Sequence, residues 1–488
     1  MPRRALSVLL AMLGLAACTG HPRPKMASIT EIPAIQMRAT DHPGADLHAA
    51  AAETRRALLS LEARRTPSGI CDLPEFADAK PEPGAPLRYL ILSGGSLNGA
   101  FGAGFFLGLA EVGKLPPEAT VVTGVSTGAL QSTFLFLGSS HKPPTDRTYK
   151  WVGGRAATES PDDDPLRPAL HAGRSNYEDL ALAYTIRREG DILSVAPFGG
   201  VGMLLEGSKG RLDPLGERLL DLISPQTIRD VAFEACRGRK LYVGVADVDD
   251  GQAYALDLTR LALKAFEPGA PEWQKRHMLS VRKAYVAALI ASSSVPVGAQ
   301  PVTLILRSDN AKPGEERFRH LFVDGGARFG AFLEDARVDS VAHRMASDEY
   351  GVTLLVNTRL TIPAWRENDD KLKPKRGWLL STLGLRTVDI LENQVYRLSV
   401  EAVEDKAYDL GGLHMAFLHN QNLHPGGKDD GTELPDDHVY QGSSCATWHD
   451  KNHADLHPAQ FYPDYMACLI DYGRQRGQAN LWNSIKVK

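Results

Sequence analysis

From residue 88 onward, short apolar runs alternate with longer glycine-rich or amphipathic stretches. Residues 88–92 (RYLIL) predict a strand, 99–112 a glycine-rich helix, 119–122 a second strand and 127–137 (TGALQSTFLFL) an apolar helix. A strand–helix–strand–helix order implies a parallel sheet with right-handed crossovers. Further strands are expected at 241–246 (LYVGVA), 320–323 and 352–356 (VTLLV). Further helices are expected at 281–291 (VRKAYVAALIA), within 379–403 and at 465–479. The pattern is that of an α/β protein.

Outside this core the pattern weakens. Residues 19–35 are polar and contain proline, and read as a tether. Residues 45–65 are rich in Ala and Leu at helical spacing and predict an accessory helix, and 81–86 (PEPGAP) mark a boundary. Residues 139–167, with the acidic run Asp162–Asp164, and 308–316 read as surface loops, and 366–376 as a charged linker. The region after about residue 409 reads as irregular. Three parts are thus expected: 1–17, 18–85 and one large domain over 86–488. The chain has 55 basic and 59 acidic residues, which gives no reason to expect a nucleic-acid partner.

The first 17 residues have the form of an export signal. Arg3 and Arg4 precede an apolar stretch at 5–15, too short to span a bilayer comfortably. Leu15-Ala16-Ala17-Cys18 resembles a bacterial lipobox. That resemblance implies cleavage before Cys18 and its diacylglyceryl modification, whose acyl chains would anchor the protein to an envelope membrane. Thr19 follows where Asp would disfavour the outer membrane in enteric bacteria. An ordinary secretory signal, cut after an A-x-A-like site, is the alternative; both export the chain. Cys71, Cys236, Cys445 and Cys468 then permit two disulfides in one of three pairings, with Cys445–Cys468 expected first. Four free buried thiols remain the other possibility.

Three segments carry candidate chemistry. G-V-S-T-G at 124–128 places Ser126 between a strand and an apolar helix, the context of a nucleophile elbow, with Gly124 and Gly128 letting the turn close. The helix N-terminus beneath the serine favours developing negative charge. S-G-G-S-L-N-G at 93–99 lies between a strand and a helix, and its glycines allow backbone N–H groups to converge on an oxyanion. It lacks the Lys-Ser/Thr of a phosphate loop and the spacing of a dinucleotide fingerprint. V-D-G-G at 323–326 ends an apolar strand on Asp324, pointing a carboxylate into the crevice of an α/β sheet. Read alone, that aspartate is a turn residue.

Together and in this order, the three segments resemble the patatin-like phospholipase family. The family has a G-G-G-x-R/K-G oxyanion loop, a G-x-S-x-G elbow and a D-G-G/A motif, and uses a Ser-Asp dyad without histidine or metal. The resemblance implies a three-layer α/β/α fold with a mostly parallel sheet, Ser126 as nucleophile, and Asp324 as general base followed by Gly325 and Gly326. It places Gly94, Gly95 and Ser96 around the oxyanion hole. Ala291-Ser292-Ser293-Ser294-Val295-Pro296 matches the family's A-S-S-A-x-P stretch, and the resemblance covers roughly 87–330. It implies a lipid or ester substrate and no cofactor. Two positions depart: Ser96 replaces the third glycine, and Asn98, just before Gly99, replaces the Arg/Lys. Loss of the cation shifts the expectation from phospholipase A toward a lipid or ester acyl hydrolase of open substrate.

Other readings compete. A Ser-His-Asp hydrolase would need His343, His414 or His419 to complete the site. A non-catalytic envelope lipoprotein would leave Ser126 unreactive. His414, His419, His424, His438, His449, His453 and His457 crowd the C-terminal region with Asp436, Asp437 and Asp450, but show no metal-ligand spacing. Residues 194–205 (SVAPFGGVGMLL) are apolar and uncharged, suited to an acyl pocket, a membrane contact or buried core.

Overall fold

Alternate residues of two neighbouring strands enter two different cores. Leu90, Leu92 and Val122 join one apolar cluster; Tyr89, Ile91, Val121 and Val125 join the other. Strands buried on both faces in this way belong to a sheet covered on both sides by helices. The computed structural model describes residues 23–26, 28–37, 69–81, 87–139, 151–152, 155–156, 175–195, 208–308, 317–333, 351–359, 380–408, 410–418, 435–456 and 461–486.

Among the described residues ten strands form the sheet: β1 (Ile32–Met37), β2 (Tyr89–Leu92), β3 (Val121–Val125), β4 (Lys240–Asp247), β5 (Ala253–Asp257), β6 (Val302–Ser308), β7 (Arg317–Asp324), β8 (Val352–Val356), β9 (Gly412–Phe417) and β10 (Asn483–Lys486). Their order is β7-β6-β1-β5-β4-β3-β2-β8-β9-β10. The run β4-β3-β2-β8-β9 is parallel throughout. Beyond it, β5, β1, β6 and β7 attach by mostly antiparallel pairings. β7 also returns to β4, closing these strands into a five-membered ring.

That closure positions the site. Residues 240–244 of β4 pair in parallel with β3, ending at Val125 opposite Gly244. On the same edge, residues 245–247 pair antiparallel with β7, ending at Asp324 opposite Val245. Two strands therefore run toward each other along one edge of β4 and stop at adjacent residues.

Helices α1 (Gly99–Glu111), α2 (Thr127–Leu137), α3 (Asn176–Ala183), α4 (Asp213–Leu222), α5 (Pro225–Cys236), α6 (Leu258–Lys264) and α7 (Pro271–Ser292) are followed by α8 (Leu380–Tyr408), α9 (Cys445–Leu456) and α10 (Pro463–Gln478). The larger core takes residues from α1, α2, α5, α6, α7 and α10; Val400, Val403 and Ala407 of α8 pack into the other. α1 and α10 lie against each other through glycines. A Cβ on Gly104 would come within 2.0 Å of the Ile470 carbonyl oxygen, and one on Gly473 within 2.1 Å of that of Phe101.

Two expectations are corrected. The stretch 19–35 is not simply a tether: Ile32 and Ala34 of β1 are core residues, Arg23 pairs with Asp249, and the Pro24 carbonyl accepts from Thr303. The region after 409 is not merely irregular, because β9, β10, α9 and α10 complete the sheet and its helical cover. Its helix at 465–479 was legible; β10 was not, since four residues of mixed polarity give no period. Cys445–Cys468 and Cys71–Cys236 are the two disulfides. The accessory helix at 45–65, most of the loop at 139–167, the linker at 366–376 and Cys18 lie outside the described residues.

Candidate active site

Ser126 is the turn between β3 and α2. Its φ of 53° lies in the left-handed region, sparsely used by a residue with a side chain and costing on the order of 1–3 kcal/mol. Surrounding groups hold it there. The Ser126 N–H donates to Ser292 Oγ at 2.9 Å, and Ser292 Oγ donates to the Gly244 carbonyl at 2.7 Å. Ser293 Oγ reaches the Ser126 carbonyl at 3.4 Å. The flanking glycines are required by contact: a Cβ on Gly124 would meet the Gly128 carbonyl oxygen at 2.5 Å, and one on Gly128 that of Leu92 at 2.3 Å.

The glycine loop approaches Ser126 from β2. A Cβ on Gly94 would lie 3.1 Å from the Cβ of Ser126. Gly95 has φ 152° and is pressed against the Asn357 carbonyl, and Ser96 has φ 51°. The Gly94 N–H, expected around an oxyanion, instead donates to the Gly330 carbonyl at 3.0 Å. Those of Gly95 and Ser96 have no protein acceptor among the described residues. The usable donors are therefore one residue further along than the first glycine.

A buried polar network fixes this loop. Asn357, just after β8, donates its backbone N–H to Ser93 Oγ at 2.8 Å and its Nδ2 to the Ser93 carbonyl at 2.9 Å. Its side chain also exchanges bonds with Gln131, whose Nε2 donates to the Gly99 carbonyl at 2.8 Å. A network this buried is costly unless satisfied, and here it ties β8, α2 and the loop together. Asn98 is half-buried before α1 and makes no capping bond to it. Gly99 faces Thr127 and Tyr184, too close for a side chain.

Asp324 ends β7 and is 3% exposed. Its N–H donates to the Ser294 carbonyl at 2.9 Å, and its Oδ1 accepts from the Gly326 N–H at 2.7 Å. Oδ2 is buried with no partner at hydrogen-bond geometry, and the Ser126 hydroxyl is the neighbouring group that favours its charge. Burial pushes the carboxyl up to about 7; Ser126 and the Gly326 N–H pull against that rise, and Glu392 adds to it. Gly325 packs on the Gly244 carbonyl, again leaving no room for a Cβ. The serine run 292–294 thus touches both candidates: Ser292 holds the elbow and Ser294 holds Asp324.

Beside Ser126 opens an apolar cavity lined by Leu97, Leu130, Ile192, Leu212, Leu219 and Phe461 among others. Arg218, the cation in the lining, donates to the carbonyls of Leu182 and Thr185. Of residues 194–205, Ser194–Val195 pairs with Gly210–Arg211 and is exposed; the rest lies outside the described residues.

No histidine hydrogen-bonds to Ser126 or Asp324 among the described residues. His414 lies on β9 against the Trp482 ring, and His343 and His419 fall outside them. Among the described residues the C-terminal histidines form no cluster: His438 pairs with Asp471, His449 packs on Tyr462 and Tyr465, and Asp436 pairs with Arg359. Asp247, Asp249 and His320 do come within metal-ligating distance of one another, but Arg23 grips Asp249 through two 2.6 Å bonds.

Sequence reading missed Asn357, Gln131, Glu392 and Tyr396. Asn357 had a signal, since it directly follows a strand at the edge where α/β sheets place their sites. Glu392 and Tyr396 sit inside a helix whose pattern gives no such hint.

A search of curated protein sequences finds no match. Among solved structures, VipD from Legionella pneumophila aligns with 83% of this chain and 69% of its own, at 11% identity and a TM-score of 0.26, a likeness too distant to bear on the site. The family model described as patatin-like phospholipase matches residues 90–337, just over half of the chain. The chain belongs to the patatin-like phospholipase family and is a lipid acyl hydrolase.

Proposed function

We propose that the enzyme cleaves carboxylic esters of lipids through an acyl-enzyme on Ser126, with Asp324 as general base. The observation that carries this reading is the buried Asp324 carboxylate, whose Oδ2 has the Ser126 hydroxyl as its neighbour. Asp324 takes the hydroxyl proton as Ser126 Oγ bonds to the ester carbonyl carbon. The carbonyl π pair moves onto oxygen, where the N–H groups of Gly95 and Ser96 receive it. The carbon–oxygen bond to the alcohol breaks as the pair returns, and Asp324 gives its proton to the departing oxygen. Water then loses a proton to Asp324 and attacks the acyl carbon. Ser126 departs carrying that proton. The apolar cavity holds the acyl chain.

The test is ester and lipid turnover by wild type, Ser126→Ala and Asp324→Asn, with labelling by a fluorophosphonate. The reading expects labelling on Ser126 and loss of turnover in both variants. Unchanged turnover in either variant overturns it.

The N-terminal segment fits delivery to the cell envelope through a lipidated Cys18, and two disulfides suit an oxidising compartment. Metabolic labelling with a fatty acid, lost in Cys18→Ala, supports the anchor; equal labelling removes it.

A further inference from the structure

Tyr396, on α8, sits at the junction of all three motif segments. It is 3% exposed. An ideal Cβ on Gly94 would lie 1.9 Å from its Oη and 3.1 Å from Ser126 Cβ, so the phenol oxygen and Ser126 Cβ are no more than about 5 Å apart. A Cβ on Gly326 would lie 3.2 Å from the same Oη and 3.1 Å from Asp324 Oδ1. The hydroxyl therefore faces the elbow, the glycine loop and the aspartate segment at once. It makes no hydrogen bond among the described residues.

Its backbone is held independently of that hydroxyl. Gly330 packs directly under Tyr396, 2.8 Å from a Cβ to its Cα, and the Gly330 N–H donates to Ser399 Oγ on the same helix at 2.9 Å. The Gly330 carbonyl accepts the Gly94 N–H. The contact that removes one backbone donor from the loop therefore also fixes the helix that brings a phenol beside it. Burial and the charges of Asp324 and Glu392 hold the phenol well above its ordinary value, so it keeps its proton throughout the working pH range.

We infer that the Tyr396 hydroxyl is a catalytic hydrogen-bond donor to the ester oxyanion, acting at the Gly94 end of the loop where the backbone N–H is engaged. The proton stays on the phenol; only the hydrogen bond forms as charge develops. This assignment rests on Ser126 being the nucleophile.

The experiment is steady-state hydrolysis of aryl and alkyl esters by Tyr396→Phe, together with the rate of its inactivation by a fluorophosphonate. Phe keeps the ring and its packing, and an unchanged melting temperature confirms that the fold is kept. Removal of one oxyanion donor lowers kcat by about a hundredfold to a thousandfold. We expect that loss with little change in KM, at a similar factor for good and poor leaving groups, and with a matching drop in inactivation rate, because the phosphoryl oxygen uses the same donors. Wild-type kcat in Tyr396→Phe overturns the inference. So does a loss confined to KM, or one that appears only with poor leaving groups, which makes the phenol a proton donor to the alcohol. Labelling at Ser126 with wild-type kcat in Tyr396→Phe removes this inference alone. Full turnover by Ser126→Ala removes the nucleophile assignment beneath it.

Discussion

Ser126 and Asp324 are brought together because the strands that carry them meet head to head on one edge of β4. Val125 pairs with Gly244 and Asp324 with Val245, consecutive residues of a single strand. The pairing is made by backbone hydrogen bonds, so the separation of the two side chains depends little on loops. Ser292, the last residue of α7, and Ser294, two residues beyond it, then bind one candidate each.

This placement predicts the pH dependence. Asp324 must be ionised to accept a proton, and its folded pKa is about 7. kcat/KM should rise as pH increases through about 7 and level off above, with no falling limb from a histidine acid. A profile already flat at pH 5 contradicts the burial argument.

The same shift has a stability consequence. A carboxyl whose folded pKa is raised binds its proton more tightly in the folded state, so its ionisation costs stability between about pH 4 and 7, and the cost is fully present above. A shift of this size corresponds to roughly 4 kcal/mol. Asp324→Asn should therefore be inactive yet melt higher than wild type at pH 8, with the gain shrinking at pH 5. Thermal melts at the two pH values check the sign.

Ser292→Ala removes the acceptor of the Ser126 N–H and the donor to the Gly244 carbonyl. Leaving two buried backbone groups unpaired costs about 1–3 kcal/mol each. Turnover should fall at least tenfold because the elbow loses a restraint on its strained φ. A fluorophosphonate labelling rate equal to wild type would show that the elbow holds itself.

Filling the cavity should change chain length preference. Leu219→Trp places a larger side chain in the lining without touching the reacting groups. Long-chain esters should lose kcat/KM at least tenfold while short-chain esters keep theirs. Equal effects on both classes would place the acyl chain elsewhere.

Gly473→Leu tests the α1–α10 contact. Its Cβ would sit 2.1 Å from the Phe101 carbonyl oxygen, which is backbone and cannot step aside cheaply. We expect several kcal/mol of destabilisation by denaturant unfolding.

The sequence by itself determined the α/β character, the order of the main strands along the chain, and Ser126 and the glycine loop as candidates, whereas Asp324 became one only through the family resemblance. These are local properties: apolar period, a strand–turn–helix context, glycines where no Cβ fits. Cys445–Cys468 was also legible, from proximity along the chain. It could not say that β1 enters the sheet, because a short polar-flanked strand reads like a linker until its partners are known. Only the tertiary structure decided that the Gly94 N–H is engaged by Gly330, that Asn357 and Gln131 brace the loop, and that Tyr396 overlooks it. Those relations join residues up to 302 positions apart, from Gly94 to Tyr396, and are set by the closing of β7 onto β4 and the packing of α8 on Gly330. Such contacts leave no period in the chain, because the partner that gives each residue its role lies on another element.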